Sequence, residues 1–174
     1  MTTRAPRRQT TLLIVFVVLV TVFVTTFRMG VVRGASMEPT YRDGQVVLVR
    51  RRGPFSGRLR RNDVVLLQKD RDVIIKRIYR LPGEEVDQAY PNVLTTFTAS
   101  GRGDYYEQST IQTPAGPVTH YYVPEGYVLV LGDNLRVSED GRVFGPAPIR
   151  DVLGTVVAAP GPPYTASGPI TQTR

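Results

Sequence analysis

Ser36 lies in the segment Gly34-Ala35-Ser36-Met37-Glu38-Pro39-Thr40, and forty residues later Lys76 ends the apolar stretch Val73-Ile74-Ile75-Lys76. A serine hydroxyl attacks a carbonyl only when a neighbouring base takes its proton; the bases available here are Lys76, Lys69, His120 and the carboxylates. Lysine is conspicuous because the chain otherwise avoids it: of 22 basic residues all but Lys69 and Lys76 are arginine. A guanidinium does not lose its proton in a protein, whereas burial can push an ammonium toward neutrality. Lys76 therefore stands where lysine, and not arginine, can act as a base. Alternation along a strand puts Ile74, Lys76 and Ile78 on one face, so the amine is buried with two isoleucines or all three are exposed.

Each residue also has a plainer role open to it. Ser36 can be a turn serine ahead of Pro39. Lys76 can be an edge-strand lysine whose stem lies along the sheet while its amine reaches water. Lys69, among Gln68, Asp70, Arg71 and Asp72, reads as an ordinary charged turn, and His120 in Val118-Thr119-His120-Tyr121 leaves a Ser36-His120-Asp triad possible on paper. A third segment, Gly132-Asp133-Asn134-Leu135-Arg136-Val137-Ser138-Glu139-Asp140-Gly141-Arg142, packs turn formers and charges behind an apolar run and taken alone is a turn with a surface ion pair.

The elements that would position these groups are short and β-branched. Gln45 to Arg50, Asp63 to Gln68, Val73 to Tyr79, Tyr127 to Leu131 and Val152 to Ala158 carry strand signals, and no long helical period follows residue 30. The chain is thus expected to be mainly β, an antiparallel catalytic core over 28–87 and 123–159 preceded by one membrane helix. Between them, 88–122 is rich in Thr, Gly, Ser and Tyr and suits a small inserted hairpin lobe. Residues 160–174, rich in Pro, Gly, Ser and Thr, are expected to be a disordered tail.

Leu12 to Phe27 carries no charge and, with Thr10 and Thr11, gives about 16 to 18 residues, near the lower limit for crossing a hydrocarbon core of ~30 Å. A cleaved leader would need a small-x-small site after it, and Phe27-Arg28-Met29-Gly30-Val31 offers none, so 12–27 reads as a retained signal-anchor. Arg4, Arg7 and Arg8 precede it and Arg28 and Arg33 follow, which places the basic segment 1–11 in the cytoplasm and the body outside the cell membrane.

The net charge is +7, of which five units surround the apolar run. A second basic cluster, Arg50, Arg51, Arg52, Arg58, Arg60 and Arg61, includes no acid and reads as a loop facing anionic membrane lipids. Nucleic acid is disfavoured as its partner because no recognition-helix or interleaved aromatic pattern accompanies it. With no cysteine and one histidine, thiolate and His-rich metal sites are excluded, and no cofactor is read from the chain.

Four collinear blocks, GASMEPT with YRDGQVVLVRR, RNDVVLL, VIIKRIYRLPGEEV, and VPEGYVLVLGDN continuing to SEDGR, follow the anchor. Over Val32 to Val157 the chain resembles the type I signal peptidases, membrane-anchored serine/lysine endopeptidases that remove signal peptides from exported preproteins. The resemblance implies the antiparallel β core of that family, Ser36 as nucleophile and Lys76 as general base. It implies Ser138 as the hydroxyl orienting the lysine amine, with Asp140 and Arg142 as a supporting ion pair and Asp133, Asn134 and Arg77 as further support. It also implies Val32, Met37, Tyr41, Ile74 and Ile75 as pocket walls, a substrate strand beside Ile74 and Ile75, cleavage after small residues of the Ala-x-Ala type, and a monomer. The family often carries Ser where this chain has Gly34, so the oxyanion region is left to the Ser36 backbone amide with a water or a neighbouring amide. Leu135, Gly141 and Arg80 also depart from the usual Arg, Ser and Gly. Other members of the same chemical class, a pilus maturation protease or a self-cleaving repressor, are alternatives, as is a non-catalytic membrane-anchored β domain; the membrane run and the lack of a helix-turn-helix speak against the repressor.

Overall fold

The computed structural model describes residues 7–53, 56–86 and 105–158. The expected tail, residues 88–104 of the expected lobe and the start of the basic N-terminal segment lie outside the described residues.

Helix α1, Arg7–Thr26, is the apolar run. Its side chains from Leu12 to Val24 are exposed all round, which a helix in water does not tolerate and a helix in lipid requires. At 20 residues it is about 30 Å long, the thickness of a bilayer core. The hydroxyls of Thr21 and Thr25 donate to the carbonyls of Val17 and Thr21, both at 2.8 Å, so neither is left bare in an apolar surround. The helix begins before the uncharged run and stops one residue short of it: Phe27 already belongs to strand β1, Phe27–Val31, with no spacer between the two elements.

The remaining strands are β2 Val46–Arg51, β3 Val64–Lys69, β4 Asp72–Arg80, β5 Glu107–Thr113, β6 Gly116–Tyr122, β7 Tyr127–Leu131, β8 Ala147–Pro148 and β9 Val152–Ala158. Among the described residues seven of the nine strands form one antiparallel sheet in the order β1-β2-β9-β3-β4-β7-β8, and β5 pairs only with β6. All five strands expected from β-branched runs are present within a residue or two. Strand β3 explains why its sequence is continuously apolar: Val64 and Leu66 enter one core cluster with Val32, Met37, Val47, Val49 and Ile75, while Val65 and Leu67 enter another with Ile78, Val128, Val130 and Val152. A sheet covered on both faces loses the polar alternation of a half-exposed one.

The β5-β6 hairpin is in full register from Glu107 opposite Tyr122 to Thr113 opposite Gly116. It is tied to the main body by Val86 N–H donating to Tyr121 O and Val123 N–H donating to Glu84 O, and by a third cluster of Val86, Tyr106, Val123 and Leu129. Arg80 is buried at this junction, its Nε donating to Glu85 O at 3.0 Å and its guanidinium 4.0 Å from the Tyr79 ring centre.

Candidate active site

Strand β4 carries Lys76 to the centre of the molecule. Paired with Val65 of β3 and flanked by Ile75 and Ile78, its side chain is only 4% exposed. Of the two arrangements open to the Ile74-Lys76-Ile78 face, the buried one is adopted. Burial pushes the Lys76 amine below its ordinary value, and the carboxylates of Asp140 and Glu139 oppose that shift without cancelling it. Neither carboxylate forms an ion pair with the amine among the described residues.

Ser36 sits in the turns that follow β1, held from both sides. Gly34 N–H donates to Asp43 Oδ1 at 2.7 Å, Val32 N–H donates to Gln45 O at 2.9 Å, and Met37, 0% exposed, plugs the turn into the first core cluster. On the other side the Ser36 carbonyl accepts from Asn134 N–H at 2.9 Å. Gly132 lies against the same carbonyl: a Cβ there would stand 2.6 Å from Ser36 O and 2.1 Å from Ser138 Oγ, so the close approach requires glycine. Gly34 has φ +79 with open space where a side chain would project, a backbone conformation that favours glycine.

The segment from Gly132 to Arg142 is a frame built on one buried carboxylate. Asp140, 0% exposed, accepts from Gly132 N–H at 2.9 Å, from Arg142 N–H at 3.1 Å and from the Arg142 guanidinium at 2.9 and 3.1 Å, and it caps the short helix Gly141–Phe144. Burial alone would raise its pKa; Arg142 and the Gly132 amide outweigh burial and hold it low. Arg142 also donates to the carbonyls of Leu135 and Ser138, closing the loop on itself. Arg77, next to the lysine, forms a two-pronged pair with Asp133 at 2.8 and 2.7 Å and reaches Asn62 O at 2.9 Å. The Ser138 hydroxyl is buried beside the Asp140 carboxylate and helps to hold it charged.

Ser36 and Lys76 line one groove of about 450 Å³ between β1 and the start of β4. Val32, Ile74 and Ile75 line it as well, while Met37 lies beneath in the core and Tyr41 packs against the same cluster. Among the described residues the edge of β4 away from β3 has no strand partner through residues 72–76, since pairing to β7 begins at Arg77. His120 is not among the groove residues; its ring pairs with Glu85 in the hairpin region. The basic cluster is not all loop: Arg50 and Arg51 belong to β2, paired with Thr155 and Gly154 of β9, and Arg61 is engaged by Glu84 at 2.7 Å.

A family model described as signal peptidase, peptidase S26, matches residues 7–159, nearly the whole chain. This chain belongs to that family. Among curated relatives, signal peptidase IB of Staphylococcus aureus is 33% identical over 141 residues, covering 72% of this chain and 73% of its own length. Signal peptidase I V of Bacillus subtilis is 32% identical over 142 residues, covering 72% and 80%. A crystal structure of a signal peptidase I from Enterococcus faecalis V583 is 23% identical over 58% of this chain and 98% of that one, with a TM-score of 0.37, too low to bear on the fold. Family membership makes the chain a serine endopeptidase of the signal peptidase I type, and its N-terminal apolar helix fits a membrane anchor.

Sequence reasoning overlooked Gly132, whose place between Ser36 and Ser138 shows only in three dimensions, although it stood in a block already singled out. It also overlooked Arg28 and Gly30 in the groove wall and Val47 and Leu66 in its lining. The strand that carries the first two was hidden behind the apolar run.

Proposed function

We propose that this signal peptidase works through a Ser36/Lys76 dyad, cutting exported preproteins after small residues of the Ala-x-Ala type by way of an acyl-enzyme. Neutral Lys76 takes the Ser36 proton as Oγ attacks the scissile carbonyl, then gives it to the amine of the departing mature protein. Water deprotonated by the same amine hydrolyses the ester and frees the signal peptide. The observation that carries this reading is a lysine buried to near dryness, with its pKa lowered, lining the same groove as Ser36. The unpaired edge of β4 over residues 72–76 suits an added substrate strand, whose main chain would supply much of the affinity. Ser138 and the Asp140–Arg142 pair hold the site in shape, and the oxyanion falls to backbone amides, Gly34 having no side chain to offer. The N-terminus is cytoplasmic and the catalytic body lies on the outer face of the membrane, where anionic lipids meet the arginine cluster; the enzyme acts as a monomer.

A labelled Ala-x-Ala peptide in detergent is the direct test. Wild type should cleave it, and Ser36→Ala and Lys76→Arg should be inactive while remaining folded. Turnover by either variant would defeat the dyad, and an inactive wild type would favour a binding domain.

A further inference from the structure

Strand β1 presents two different faces. Met29 and Val31 are 74% and 59% exposed, whereas Arg28 and Gly30 are half-buried and Val32, just past the strand, is buried; the whole run from Arg28 to Val32 lines the groove. Val32 stands at the Ser36 end. At Gly30 the wall is cut away: a Cβ there would make only ordinary contact with Val47 at 3.5 Å and Leu66 at 3.7 Å, so the site has room for a side chain and carries none. Beyond that recess comes Arg28, at the end of the groove nearest α1. Its Nε and Nη2 are shut off from solvent and have no hydrogen-bond acceptor among the described residues.

A guanidinium with two buried, unanswered donors is costly, and a groove is the place from which an acceptor can arrive. From Val32 to Arg28 is four residues, roughly 13 Å of strand. Resting on the reading of the site given above, we propose that Arg28 binds the signal-peptide side of the substrate, donating to a main-chain carbonyl roughly four to six residues before the cut, with Gly30 keeping the wall low enough for the peptide to lie close. A lipid phosphate is the competing acceptor at this height. It is disfavoured because the orphan nitrogens are buried and because Asp72, on the facing wall of the same groove, would repel an anion.

The test uses the full chain in detergent and two peptides, with three and with seven residues before the cut. In wild type the long peptide should have the higher kcat/KM. In Arg28→Gln that advantage should shrink about tenfold, chiefly through KM, the size of one lost charge-assisted hydrogen bond; Arg28→Lys should fall between. Replacing single amides of the long peptide by CH2-NH bonds needs no altered enzyme. One such replacement, four to six residues before the cut, should reproduce the loss in wild type and add little to Arg28→Gln. Equal losses on both peptides, or no position at which the reduced bond matters, would overturn the proposal. So would an Arg28 effect that appears only in phosphatidylglycerol vesicles and scales with their anionic content, which would make Arg28 a lipid contact. If Ser36→Ala cleaves as wild type does, the dyad itself fails, an outcome distinct from all of these.

Discussion

At the scale of single residues, the burial that suits Lys76 to its proposed role as general base costs stability. Its folded-state pKa lies below the ordinary 10.5, so between those two values the unfolded chain holds more protons and stability rises with pH. Below the folded value the charged amine is buried and the handicap is complete. Lys76→Met should therefore abolish cleavage yet stabilise the protein at neutral pH by on the order of 1 kcal/mol. Urea unfolding in detergent should show the gap closing as pH rises from the lowered value to 10.5 and steady above it. A variant that is no more stable than wild type at pH 7 would contradict the burial argument. Turnover should rise with pH through the lowered lysine value and then level off.

That much of Lys76 was legible in the sequence, because a lone lysine between isoleucines in an arginine-rich chain poses a choice between burial and exposure. Ser36 was not legible in the same way. Nothing in a Ser-x-x-Pro-Thr turn separates a nucleophile from a capping hydroxyl, and only the resemblance to a family singled it out. The turn is defined by partners such as Asn134 that lie about a hundred residues away.

At the scale of elements, the frame from Gly132 to Arg142 is what keeps Ser36 and Ser138 where they are. Gly132→Ala would force a methyl to within 2.6 Å of a backbone oxygen that cannot swing aside, so it should cost about 1 to 3 kcal/mol and depress turnover. Asp140→Asn has a sharper signature. It breaks a buried pair at a cost of about 3 kcal/mol or more. It also removes the carboxylate that most strongly supports the charged lysine, so the midpoint of the pH-rate profile should move to lower pH. An unshifted midpoint would mean that Asp140 is only scaffolding. Because Asp140's folded pKa is depressed, its own contribution to stability is present at neutral pH and is lost as pH falls through that value.

The five core strands could be read from their β-branched runs: β3 is covered on both faces, and β2 buries Val47 and Val49 on one face while Val46 stays exposed. Strand β1 was missed for a physical reason: five residues containing an arginine and a glycine, directly after an apolar helix, carry no alternating signal of their own. Its existence comes from pairing with β2, from Phe27 opposite Arg50 to Val31 opposite Val46. The short helix after Asp140 is likewise a product of its cap and not of any periodicity.

At the scale of the whole molecule, α1 passes into β1 without an intervening residue, and Phe23 of the helix packs on Phe27 of the strand with ring centres 5.2 Å apart. The helix is therefore continuous with one wall of the groove. Inserting a flexible Gly-Ser segment of about six residues after Thr26 should leave soluble-peptide cleavage nearly intact and reduce processing of a membrane-inserted preprotein severalfold. Equal processing of both substrates would show that the junction contributes only tethering.

If α1 is fixed in the bilayer as proposed, β1 works as a ruler. Five residues of strand, roughly 17 Å, set how far above the hydrocarbon boundary a bond can be severed. On the proposed Ala-x-Ala specificity, cleavage sites are then sorted by altitude as well as by side chain, and a correct sequence presented too high or too low would pass uncut.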